Sequence, residues 1–185
     1  MLSNQFKEQL TTVQNVKTAT RMVSMHVDEE RILTCILESQ ELDIKNALGD
    51  DLYINLLQYV NRSNLDEKKD VYEDLLNGTI YEVDGQSRIF SGLINALNYF
   101  AYARLVKYGS GSASRIGYVN NQSEYSQLAD IKQRQEEYKD AFAVAEGFMN
   151  DCIRYINYKI NQNNNCGNGH KIRPRRGPII TKIGD

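Results

Sequence analysis

Residues 91–109 read SGLINALNYFAYARLVKYG. Ser91 opens this stretch and Gly109 closes it. Between them Leu93, Ile94, Ala96, Leu97, Tyr99, Phe100, Ala101, Tyr102, Ala103, Leu105 and Val106 place apolar groups on nearly every side of a helix. A helix apolar all round is buried, either in a membrane or at the centre of a helical protein. Asn95, Asn98 and Arg104 interrupt the run, so it falls short of a membrane span. The stretch predicts a helix at the centre of a bundle, and the flanking segments are its candidate partners.

On its N-terminal side lies TIYEVDGQSRIF, residues 79–90. Asp84-Gly85 between two β-prone runs predicts a two-residue hairpin, which must rest on helices or pair with another chain to be stable. Before it, Asn64 and Glu67 form a candidate capping box for a helix carrying Val71, Tyr72, Leu75 and Leu76 and ending at Asn77-Gly78. Asp50 starts another helix, with Tyr53, Leu56, Leu57 and Val60 at helical spacing. Asp28, Glu29 and Glu30 favour a helix N-terminus. Ile32, Leu33, Ile36, Leu37, Ile44, Ala47 and Leu48 follow, and Gly49 ends that helix. Residues 1–26 are polar and weakly patterned, which predicts a partly extended arm.

On the C-terminal side, residues 109–123 read as a flexible loop, GSGSASRIGYVNNQS with its leading Gly109. The longest helix is expected from about Glu124 to Asn161, with a stripe of Leu128, Ile131, Tyr138, Phe142, Ala145, Met149, Cys152, Ile156 and Ile160. The organisation expected is mainly α: about five helices in a bundle with a long C-terminal helix and one short β-hairpin. An N-terminal arm spans 1–26, a helical domain 27–163 and a basic extended tail 164–185.

The 185 residues suit one domain, and the formal net charge of −2 hides an asymmetry. The last twenty residues hold Lys171, Arg173, Arg175, Arg176 and Lys182 against Asp185, leaving 17 basic and 23 acidic residues before them. Pro174 and Pro178 favour extended backbone, and Ile179 and Ile180 belong to a β-prone PIITKI run able to add to a sheet edge. Such a charge split marks an interaction tail.

No chemistry converges. Cys166 and His170 lie four apart, but a structural zinc site needs four ligands and no second pair is near. Cys35 and Cys152 fall on apolar helix faces and are expected as buried hydrophobes. His26 precedes a helix without a partner. GSGSASRIG follows a helix and lacks the Gly-Lys-Ser/Thr ending of a phosphate-binding loop. Asp66, Glu67, Asp70, Glu73 and Asp74 are expected to form a solvated face. No catalytic, cofactor-binding or metal-binding residue is assigned, and the N-terminus has no secretory layout. The odd set of three cysteines fits a reducing, cytoplasmic site of folding.

Gln40 precedes LG..LY..L, with Leu48, Gly49, Leu52, Tyr53 and Leu56. LL.G..Y follows with Leu75, Leu76, Gly78 and Tyr81, then GL..AL.YFAYAR with Gly92, Leu93, Ala96, Leu97, Tyr99, Phe100, Ala101, Tyr102, Ala103 and Arg104. From about Ile32 to Tyr108 this order resembles the head–tail connector (adaptor) proteins of tailed bacteriophages, in particular those of Bacteroides phages including crAss-like phages. The resemblance implies a structural virion subunit with no catalytic step and no cofactor. It implies a ring, usually twelvefold, at the neck between head and tail, assembled in the host cytoplasm. The ring docks under the portal protein, extends the DNA channel and receives downstream neck or tail proteins. Genomic DNA passes through the lumen without sequence-specific binding, and no membrane is involved. Within that picture Lys171, Arg173, Arg175, Arg176, Ile179, Ile180 and Lys182 are the expected contacts to the portal or a neighbouring subunit. The alternative is a small helical nucleic-acid-binding protein accessory to packaging, whose tail would meet phosphates.

Overall fold

The computed structural model describes residues 9–21, 23–61, 69–109, 111–114, 117–120 and 131–163. It is mainly helical. Helix α1 (Val13–Ala19) is followed by α2 (Glu29–Ser39), a π segment (Gln40–Ile44) and α3 (Lys45–Leu48), which run on without a break. Then come α4 (Asp50–Asn61), α5 (Lys69–Asn77), strands β1 (Thr79–Val83) and β2 (Gln86–Phe90), and α6 (Leu93–Tyr108). Strands β3 (Gly111–Ser114) and β4 (Gly117–Asn120) precede α7 (Ile131–Asn163).

Helix α6 is central, as its all-round apolarity predicts: Leu93, Ala96, Leu97, Phe100, Ala101 and Ala103 have no exposed surface. It runs antiparallel to α7, since Tyr99 meets Phe148, Phe100 meets Phe142 and Lys107 lies over Tyr138. Phe142, Ala145, Met149, Cys152 and Ile156 of the α7 stripe are buried. At 33 residues α7 is about 50 Å long. Helices α3, α4 and α5 add Leu48, Tyr53, Leu56, Leu57, Tyr72, Leu75 and Leu76 to the same core. A smaller cluster of Val16, Ile32, Cys35, Ile36 and Ala101 joins α1, α2 and α6.

Several elements differ in detail from expectation. The arm is extended at Thr12 and Thr20, but a two-turn helix lies between them, capped by the Thr12 hydroxyl accepting from Asn15 N–H. The helix expected to run evenly from Asp28 to Gly49 contains the π segment. The stretch read as a flexible loop holds the short antiparallel hairpin β3–β4. Ile131, Val60 and Val71, placed on apolar stripes, are exposed because each lies at or near a helix end, where the neighbouring helix no longer covers it. The capping pair Asn64 and Glu67, together with Leu128 and the residues from 164 on, lie outside the described residues.

Candidate interaction surfaces

The hairpin β1–β2 sits beside the C-terminal half of α7. Asp84 and Gly85 have φ of 52° and 72°, the doubly positive pattern of a tight turn, and the register pairs Ile80 with Ile89 and Tyr81 with Arg88. Its inner face carries Tyr81 and Phe90. Phe90 stacks on Tyr155 at 4.5 Å, and Tyr81 meets Tyr155 at 5.2 Å and Tyr158 at 5.1 Å. The Tyr155 hydroxyl donates to Asp74 at 3.0 Å, tying α7 to α5. The outer face carries the opposed pair Ile80 and Ile89, 68% and 74% exposed, beside exposed Glu82 and the acidic tip Asp84. An adjacent pair of β-branched residues left in water on a hairpin is a candidate contact surface.

The hairpin's base is pinched shut by two glycines. Gly78 and Gly92 have φ of 89° and 90°, and each packs its Cα against the other's backbone. A Cβ on Gly78 would lie 2.5 Å from the Phe90 carbonyl oxygen, and one on Gly92 would strike the Leu76 carbonyl oxygen and Asn77.

The other end of α7 is basic. Lys107, Ile131, Arg134, Gln135, Tyr138 and Lys139 line a cleft of about 320 Å³ between the end of α6 and the start of α7. Among the described residues three cations and no carboxylate line it. None of the three forms an ion pair among the described residues. Arg134 Nε is buried and has no hydrogen-bond acceptor there. From Arg134 to Tyr155 is 21 residues, so cleft and hairpin are roughly 30 Å apart along the helix.

Between these poles a buried polar seam fixes the geometry. Arg104 donates to Ser39 Oγ at 3.1 Å and to Asp43 at 2.7 and 3.2 Å. Burial works to lower the Arg104 pKa, and its hydrogen bonds and attraction to Asp43 more than reverse this, so the net shift is upward. Gln40 and Asp43, both in the π segment, point inward at 1% and 2% exposure. Gln40 Oε1 accepts the Leu10 N–H at 2.7 Å, Thr11 Oγ1 donates to Asn98 at 2.7 Å, and Lys17 pairs with Glu29 at 3.1 Å. Arg21 reaches Glu137 at 2.7 Å and also pairs with Asp140. The arm is thereby bonded to α2, α6 and α7.

The residues singled out in the tail, Lys171, Arg173, Arg175, Arg176, Ile179, Ile180 and Lys182, lie outside the described residues, as do Cys166 and His170. Cys35 and Cys152 are buried free thiols. His26 is exposed, its backbone N–H donating to Ser24 Oγ at 3.3 Å. Among the described residues no group of three or more His, Cys, Asp or Glu side chains is placed to hold a metal ion. No helix there is long and apolar enough to cross a membrane. The basic cleft escaped the sequence reading because Lys107 and Arg134 come from different helices. The hairpin's turn at Asp84-Gly85 was legible and sets Ile80 opposite Ile89, but which face turns to water is decided by the helices behind it.

A family model matches residues 44–172, from the π segment through α7 and beyond. The chain belongs to DUF6712, a family of unknown function. The matched region contains both poles and Arg104, while α1 and α2 precede it. No curated protein and no solved structure matches the chain.

Proposed function

We propose that this DUF6712 chain is a subunit of a head–tail connector ring of a tailed bacteriophage. The ring docks under the portal protein, extends the DNA channel and offers a surface to downstream neck or tail proteins. The single observation that carries the reading is the resemblance over Ile32–Tyr108, and its motif positions have clear physical duties in this fold. Leu48, Leu56, Leu75, Leu76, Leu93, Ala96, Leu97 and Phe100 share one core. Gly78 and Gly92 close the hairpin, and Gln40 and Arg104 build the polar seam. Residues with such duties resist change in a shared fold, so the likeness is one of architecture, and the function follows by analogy. The acidic balance of residues 1–165 suits a channel wall that DNA passes without sticking.

The test is electron microscopy of the purified chain mixed with its cognate portal, full length beside a chain ending at Asn165. A ring stacked on the portal is expected with the full chain. Its loss on truncation would assign the basic tail as the portal clamp, and a ring with both would leave the connector and discard the clamp. The basic cleft favours a second reading, a packaging accessory protein that binds nucleic acid. That reading requires DNA affinity that falls steeply with salt and no ring on the portal.

A further inference from the structure

We infer that the β1–β2 hairpin of one copy seats in the basic cleft of a second copy of this chain. The inference rests on the ring reading and deepens it by naming the contact between subunits. The two surfaces match in kind. The hairpin's outer face offers Ile80 and Ile89 with Glu82 beside them and Asp84 at the tip. The cleft offers Ile131, 64% exposed, and the Tyr138 ring, with Lys107, Arg134 and Lys139 around them. Arg88, the hairpin's own cation, belongs to the opposite face through its pairing with Tyr81, so the outer face carries acidic charge only. Among the described residues Arg134 Nε lacks an acceptor and none of the three cations has an ion-pair partner, so an incoming carboxylate meets unpaired positive charge.

Position decides between self-contact and contact with another copy. The hairpin is fastened to α7 at Tyr155 and Tyr158, while the cleft lies near Arg134. The roughly 30 Å between them is spanned by a rigid helix, so one copy cannot fill its own cleft. Two unlike patches at opposite ends of a molecule make a heterologous, head-to-tail contact, and such contacts close into rings when the rotation per subunit permits. The tip is also slender. Gly85 has no side chain, and a Cβ placed there would meet nothing within 4 Å.

The test uses charge exchange in the full chain, read by sedimentation velocity and by imaging of portal-bound rings. One variant carries Glu82→Lys with Asp84→Asn, which keeps a residue tolerant of positive φ in the turn. The other carries Lys107→Glu with Lys139→Glu, both at exposed positions. Each alone is expected to weaken self-association at least tenfold, and mixing the two variants is expected to restore mixed assemblies. Unchanged melting temperatures would exclude misfolding as the cause, and if either variant melts early, the milder Glu82→Gln and Lys139→Gln replace them. Portal-bound rings that form equally with every variant would overturn the hairpin–cleft contact and leave the ring reading standing. A chain that stays monomeric with and without portal would overturn both. Binding of inorganic phosphate or DNA to the wild-type cleft, lost in the Lys107→Glu, Lys139→Glu variant without change in association, would make the cleft an anion site and overturn the inference.

Discussion

At the scale of the residue, the fold places its strictest demands on Gly78 and Gly92. Both have positive φ, and both give up side-chain volume so that the chain entering the hairpin can touch the chain leaving it. Gly78→Ala combines left-handed strain of about 1–3 kcal/mol with a clash against backbone that no rotamer change can relieve. We expect a loss of at least ~3 kcal/mol, a fall in Tm near 10 °C by thermal melt. Gly147 is the opposite case. It lies exposed inside α7 with nothing within 4 Å of a built Cβ. Gly147→Ala is expected to stabilise by roughly 0.5–1 kcal/mol and raise Tm by a few degrees, because Ala loses less conformational freedom in a helix. Asp43 is the third informative position, its side chain 3% exposed against Arg104 at 15%. Asp43→Ala strands a largely buried guanidinium, with Glu38 3.9 Å away as the remaining anion. The expected cost is ~3 kcal/mol in denaturant unfolding. Asp43→Leu with Arg104→Met is expected to recover most of it, since the pair's loss as a unit leaves no unpaired charge.

At the scale of the element, what was legible in the sequence depended on how local the cause is. Helix α6 could be placed from its own residues, because all-round apolarity admits only a central position. The hairpin followed from Asp84-Gly85 and two β-prone runs. Helix α1 was not legible: VQNVKTA offers few apolar residues, and what holds it is distant in sequence, at Gln40, Asn98 and Glu29, with Glu137 and Asp140 gripping Arg21 just beyond its end. The π segment was hidden too, since QELDI carries no local mark of a wider turn, while its Asp43 bonds Arg104, sixty-one residues on. The hairpin was readable from its turn, but the choice of its water-facing side needs the α7 aromatics behind it, and the basic pole needs α6 and α7 brought side by side. Because the arm hangs on tertiary bonds, it should loosen before the bundle does. Gln40→Ala removes the acceptor of the Leu10 N–H at a buried site, costing about 1–3 kcal/mol locally. Hydrogen exchange over residues 10–19 is expected to quicken tenfold or more, while exchange in α6 changes little. Equal acceleration in both would mean that arm and bundle open together.

At the scale of the whole molecule, the buried thiols and phenols share one signature: they are held neutral. Burial pushes the Cys35 thiol up to about 11 and the Cys152 thiol up to about 12, from an ordinary 9.0. Burial first, then hydrogen bonding to Glu137, raises Tyr102 to about 12. Tyr53 is likewise raised to about 12, by burial first, against an ordinary 10.0. Every one of these groups ionises more readily in the unfolded chain than in the folded one, so the unfolded chain loses protons first as pH rises. The stability they contribute is complete below about pH 9, declines as pH climbs past the unfolded thiol and phenol values, and is gone above about pH 12. Melting temperature is therefore expected to be flat from neutral pH to about 9 and then to fall steeply. Deprotonation of surface lysines, which leaves an acidic molecule more negative, pulls the same way, so the wild-type curve alone does not separate the two causes. The double variant Cys35→Ala, Cys152→Ala does. It is less stable at neutral pH, because it empties two buried sites, yet its decline between pH 9 and 11 is expected to be shallower than that of the wild type. Parallel curves would assign the alkaline loss to surface charge and the remaining phenols. Between neutral pH and about 9 a thiol-modifying reagent should leave Cys35 and Cys152 untouched in the folded chain and label them only after denaturation, because the reactive thiolate is the form that burial suppresses.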